Sequence, residues 1–264
     1  MPLVRAIDAA HRPFYVLLLG RKGGVTPIGF LIAVLPLLAA TLQSSGSAEA
    51  DRLYADRASL ASARQAVDLW KAALQQNSHD FEAAWKIARA DYWLGGHGSE
   101  SERRGFLEAG IEAGRVASAL EPTRPEGHFW VAANMGALAE SYGVRAGIKY
   151  RKPIKEELEL VLKLDPAFQD GSADRALGRW YAKVPHLFGG SAQLAEQHLR
   201  QSLTYNPRST ASHFFLAELL LDIGRAAEGR DELQRVLDSP VSPDWAPEDQ
   251  EFKRKAQGLL QARK

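Results

Sequence analysis

The sequence predicts an all-α protein built as a stack of helical hairpins. Three observations carry this. Apolar residues recur at helical spacing from Arg52 onward, no stretch alternates as a strand does, and helix stops recur in register with large aromatics. Asn77, Pro122 and Pro207 precede Trp85, Trp130 and Phe215 by the same eight residues. Leu164-Asp165-Pro166 is a fourth such junction, with a few extra residues before Trp180.

Composition narrows the function. The chain has 264 residues, 45% hydrophobic and 25% charged, enough apolar content for a core. A formal net charge of +1 points to no polyanion, so no nucleic-acid partner is expected. With no cysteine, disulfides, thiolate zinc sites and cysteine nucleophiles are excluded.

Residues 1–50 read as a leader. Arg21-Lys22 precede the apolar run Val25–Leu42, and Ala48-x-Ala50 would place cleavage before Asp51. An uncleaved N-terminal anchor helix is the alternative, although Pro27, Gly29 and Pro36 weaken a membrane span. Either reading puts the remainder, 51–264, in the periplasm or otherwise outside the cytoplasm.

The elements follow in order. Arg52–Asn77 is helical, with Leu53, Leu60, Val67, Trp70 and Leu74 on one stripe. Asp80 caps the next helix, Phe81–Leu94, which Gly95–Ser99 breaks. Arg103–Leu120 carries small residues for close helix contact and stops at Glu121-Pro122. Glu126–Tyr142 is followed by a polar connection, Gly143–Lys152, and by a helix from Pro153, a residue suited to a first turn, to Leu164. Ala176–Tyr181 opens the next hairpin and Ala195-x-x-x-Leu199 lies on its second helix. Ser209–Ile223 and Ala226–Leu237 form another, and Pro247–Gln261 is a charged terminal helix.

The period is about 40 to 45 residues, longer than the roughly 34 of a tetratricopeptide repeat. The extra length falls in the turns inside each hairpin. Such hairpins stack into an α-α superhelix, a tetratricopeptide-like array with one continuous core and a concave face.

Candidate chemistry is sparse. No two of the seven histidines stand three or four residues apart, so no helix-borne metal pair exists. Gly95–Ser99 lacks the lysine and preceding strand of a phosphate loop, and no G-x-S-x-G occurs. The expectation is a non-enzymatic protein without cofactor or metal. The aromatics have two readings: inter-helix core, or the lining of an apolar pocket formed by a subset, Trp93, Trp130, Tyr142, Trp180 and Tyr181, with Asn134 as the polar residue one turn from Trp130. The apolar, Gly-Pro-rich insertion Val184–Ser191 also has two. Gly189-Gly190 permit a tight entry into a helix capped by Ser191, or Leu187 and Phe188 protrude to dock a partner.

With its leader, GHFWVAANMGALAE, ALGRWYAKVPHLFGGSAQLAEQHL, LAELLLDIGR and a C-terminal PxWxPED helix, the chain resembles the T-component of tripartite ATP-independent periplasmic (TRAP) transporters. The resemblance spans roughly Arg52 to Leu260 and is most specific over Ala176–Leu199. It implies a periplasmic scaffold that docks with a solute-binding protein, an apolar channel or small apolar ligand, and a small homo-oligomer. The lipid anchor of many such proteins is missing, because no cysteine follows the apolar run. The alternative is a general tetratricopeptide adaptor that binds another envelope protein in its concave groove.

Overall fold

A computed structural model gives the structure of residues 46–262. The apolar run Val25–Leu42 therefore lies outside the described residues. Among the described residues the secondary structure is entirely helical.

A helical stretch at 46–55 (α1) is followed by α2 (Leu60–Gln76), and four hairpins then stack in sequence. They are α3 (Phe81–His97) with α4 (Glu100–Leu120), α5 (Pro125–Ser141) with α6 (Gly143–Leu164), α7 (Phe168–Lys183) with α8 (Ala192–Tyr205), and α9 (Thr210–Asp222) with α10 (Ala226–Asp238). A last helix, α11 (Ala246–Ala262), packs on α9 and α10. The first helix of each hairpin also touches the first helix of the next, so α3, α5, α7, α9 and α11 share the inner side of the stack.

Local chemistry explains most boundaries. Ser59, Asp80, Ser191 and Ser209 each cap a helix by accepting a hydrogen bond from the backbone N–H three residues on. Pro125 sits at the start of α5, where its missing N–H costs nothing.

Four boundaries differ from the sequence reading: to begin with, Gly95 and Gly96 do not break α3, which runs on to His97 and ends at Gly98. The single helix expected over Arg52–Asn77 is two, because the chain turns at 56–59 and restarts from the Ser59 cap. Gly143–Lys152 is no connection but the first part of α6, which runs through Pro153. The fully buried residues of α6, Ile154, Leu158 and Val161, all follow that proline, and before it only the half-buried Tyr150 packs on the core. Finally, the extra residues after Pro166 form a left-handed turn at the start of α7, with positive φ at Gln169, Asp170 and Gly171.

The core runs unbroken along the stack because side chains shared between neighbouring clusters join them. Ala113 packs against both the α1–α3 cluster and the central one, Tyr181 links the central cluster to that of α8 and α9, and Phe215 links that to the last. Histidine–carboxylate pairs tie three hairpins together. His128 on α5 meets Glu157 on α6 at 2.6 Å, and His213 on α9 meets Glu232 on α10 at 2.5 Å. In both, the other ring nitrogen lies against the carbonyl of the proline six residues earlier, Pro122 or Pro207. Between α7 and α8 the roles are exchanged, with Asp174 on the first helix and His198 on the second.

Candidate functional site

The inner side of the stack carries the unusual chemistry. Arg89 and Tyr92 on α3 are three residues apart and so share a helix face, as do Arg175 and Arg179, four apart on α7. Arg179 bridges three helices: its guanidinium donates to Glu140 on α5 at 2.7 and 2.9 Å and to Glu218 on α9 at 3.2 Å, and it lies over the Phe215 ring. Tyr92 keeps 40% of its surface accessible although its ring centroid is 5.7 Å from that of Trp130. Burial raises its phenol pKa, Arg179 and Arg175 oppose the rise, and Glu140 and Glu251 add to it. Charges on α5, α7 and α11 therefore all act on the Tyr92 phenol.

Two arginines on this side have no carboxylate partner among the described residues. Arg89 is sandwiched between the Tyr54 and Trp85 rings at 4.2 and 4.9 Å, and its Nε is buried without an acceptor. Burial lowers its pKa, a sign of a cation short of compensation. Burial lowers Arg175 likewise, against the more distant influence of Tyr92, Asp170 and Asp249.

The C-terminal helix returns to the first helices. Arg57, in the turn between α1 and α2, donates to Glu248 at 2.5 and 2.8 Å and to the Asp244 carbonyl at 2.7 Å. Its guanidinium also lies beside Tyr54, Trp93 and Trp245. His97, at the end of α3, meets Glu251 at 3.0 Å. Burial pulls the His97 pKa down, but Glu251 and the Trp93 carbonyl outweigh it, so the net shift is upward. Glu251 is lowered to about 2, chiefly by its bond to His97, with Lys255 assisting against burial.

The residues singled out in the sequence divide between core and surface. Trp93 is buried, donates to the Arg57 carbonyl at 2.7 Å and stacks on His97. Trp130 is buried between Tyr92 and Phe129. Asn134 is fully buried: its amide donates to the Ala88 and Trp130 carbonyls, and its Oδ1 lies where a Cβ at Gly110 would be only 2.5 Å away. Trp180 is buried and donates to the Arg151 carbonyl at 2.8 Å, with Tyr181 edge-on to it and stacked on His198. Tyr142 stands at the start of α6 beneath Arg104. The fold thus spreads these six along the stack. Leu187 and Phe188 are exposed on a short 3-10 turn, His186–Phe188, between α7 and α8. The sequence reading passed over Arg89, Arg175 and Tyr92. The signal available was arginine at helical spacing on the first helix of two hairpins.

A cleft of about 190 Å³ between α2, α3 and α4, lined by Arg64, Val67, Asp68, Lys71, Leu94 and Phe106, is smaller than a usual ligand pocket. No group of three or more His, Asp or Glu among the described residues is arranged to hold a metal ion.

Comparison with solved structures places the fold. A thermophilic TPR protein of Thermus thermophilus superposes with a TM-score of 0.63 at 22% identity, covering 83% of this chain and 98% of that one. A structure of MamA protein gives 0.47 at 14% identity, covering 81% and 94%. No curated protein matches the sequence. The family whose sequence model matches, over residues 47–264, is described as Regulator of microtubule dynamics protein 1-3. This overturns the resemblance to the TRAP transporter T-component. The segments behind that resemblance are the general grammar of helical hairpins: Gly190 packs against the Val184 carbonyl, Ser191 caps α8, and Ala195 and Leu199 fill the helix contact. A tetratricopeptide-like fold whose sequence matches this model along nearly all its described length belongs to the regulator of microtubule dynamics protein 1-3 family.

Proposed function

We propose that the chain is a non-catalytic scaffold whose concave side binds an acidic segment of a protein partner. The carrying observation is the pair Arg89 and Arg175, half-buried cations on the first helices of two hairpins without a carboxylate partner among the described residues. A guanidinium held this way gains most from a charge-assisted, two-pronged bond to an incoming carboxylate. Tyr92, one turn along α3 from Arg89, offers a hydroxyl and an accessible ring. The helical-repeat fold supports a protein ligand, since such arrays present extended concave surfaces. The family description suggests a cytoskeletal polymer as the partner.

The test is fluorescence anisotropy with a labelled oligoglutamate peptide. Salt-sensitive binding, weakened about tenfold by Arg175→Gln with the circular dichroism unchanged, is the expected result for loss of one charged bond. Equal affinity for the parent and the variant refutes the reading. Co-sedimentation with assembled microtubules tests the polymer named in the family description. Export or membrane tethering remains a proposal resting on the apolar run Val25–Leu42, and N-terminal sequencing of the protein from its native cell distinguishes a removed leader from a retained one.

A further inference from the structure

We propose that the first half of α6, together with the Leu187–Phe188 turn, is a docking surface for an anionic lipid membrane. This goes beyond the groove and uses none of its residues.

The surface follows from how the hairpins stack. Turns inside hairpins lie along one edge of such an array and junctions between hairpins along the other. The α5–α6 turn at Tyr142-Gly143 and the α7–α8 turn at Val184–Ser191 therefore share an edge. Contacts confirm that they meet: the Arg151 guanidinium lies 5.2 Å from the Phe188 ring centroid, and the Arg151 carbonyl accepts from Trp180, the residue beside Gly189.

Within residues 143–152 no side chain is fully buried, and the half-buried Tyr150 is the one large side chain packed against the core. Val144 and Ile148, four apart, form an apolar stripe leading through Arg151 to Phe188. Leu187 at 86% and Val144 at 79% are the most exposed large apolar side chains described, with Ile148 at 48% and Phe188 at 40% beside them. Beside that stripe runs a basic one, Arg145, Lys149 and Lys152, at spacings of four and three. The segment holds no acidic residue, and only Lys152 reaches a carboxylate, the exposed Glu156. Cations at a helix start oppose the macrodipole, so this charge is kept at a cost to the helix.

An apolar stripe flanked by lysine and arginine is the pattern of an interfacial helix, whose apolar side enters the headgroup boundary while the cations reach anionic phosphates. A protein interface fits less well, because such interfaces are depleted in lysine at their centre and enriched in aromatics. The stripe is aliphatic, its one aromatic is Phe188, and two of its flanking cations are lysines.

The chain has no cysteine, so Leu187→Cys in the full chain gives a single labelling position for an environment-sensitive fluorophore. The expected result is a blue shift with vesicles of phosphatidylcholine containing phosphatidylglycerol, absent with phosphatidylcholine alone and reversed by salt. A label at Arg208→Cys, at a junction on the opposite edge, should not respond. Lys149→Gln with Lys152→Gln should weaken the response, roughly fivefold per cation removed. An equal shift on neutral vesicles, no shift on either, or indifference to the two substitutions overturns the proposal. Loss of oligoglutamate binding leaves this test unaffected, so the groove and the edge are judged separately.

Discussion

Asp91 on α3 offers the sharpest test of the packing. Its side chain is fully buried and neither carboxylate oxygen has a hydrogen-bond partner. Burial drives its pKa from 3.8 to about 7, with Lys71 the one charge that opposes the rise. The fold therefore holds a proton that the unfolded chain releases. Between those two values stability falls as pH rises, and the loss is complete above the folded value. A shift of about three units at about 1.4 kcal/mol each amounts to about 4 kcal/mol in all. From pH 5 to pH 8 the share still to be lost is about 3 kcal/mol. Asp91→Asn removes the titration while keeping the shape. Any cost of burying the new amide enters equally at both pH values and cancels in the difference. Guanidinium denaturation followed by far-UV circular dichroism at pH 5 and pH 8 should show the variant gaining about 3 kcal/mol on the parent between the two. A stability difference that is the same at both pH values would show that the carboxylate ionises freely, and the burial argument would fail.

Two further outcomes follow from local geometry. A Cβ at Gly190 would lie 1.6 Å from the Val184 carbonyl oxygen, so Gly190→Ala should cost on the order of 1–3 kcal/mol. Gly105→Ala, inside α4 with nothing near the added methyl, should stabilise by about 0.5–1 kcal/mol in the same denaturation assay. The raised pKa of His97 means that its pairing with Glu251 stabilises fully below the ordinary histidine value and is lost as pH rises through the folded one. At the acid end, the pairing is lost as pH falls from the ordinary carboxylate range toward about 2. Glu251→Gln should thus flatten the decline of melting temperature on the alkaline side, and an unchanged slope would rule the pair out as its source.

The helices were legible because each local signal agreed with the packing. Asp80 has the cap signature in the sequence, as does Ser191 in one of its two readings, and both accept the hydrogen bonds that caps make. The eight-residue spacing of junction to aromatic reflects a repeated hairpin entry, and the proline-to-histidine offset of six at His128 and His213 is a second mark of it that periodicity alone does not reveal. Pro153 misled because proline favours a first turn, whereas here it removes one N–H from a longer helix. The groove was not legible. Whether Arg89 and Arg175 lack carboxylates depends on residues far away in sequence, and Arg57 finds Glu248 only after the whole stack has formed. The transporter resemblance failed for a related reason: hairpin grammar fixes how helices touch and leaves the partner unspecified.

The return of α11 to Arg57 and His97 changes what kind of polymer the array is. An open solenoid behaves as a one-dimensional chain whose terminal repeats fray independently of the middle. Fastening α11 to the α1–α2 turn and to the end of α3 ties the two ends of the described stack together. Melting should then approach a single all-or-none event, and opening at either terminus should require breaking the same few bonds around Arg57. The clasp thereby ties the stability of each end of the stack to that of the other.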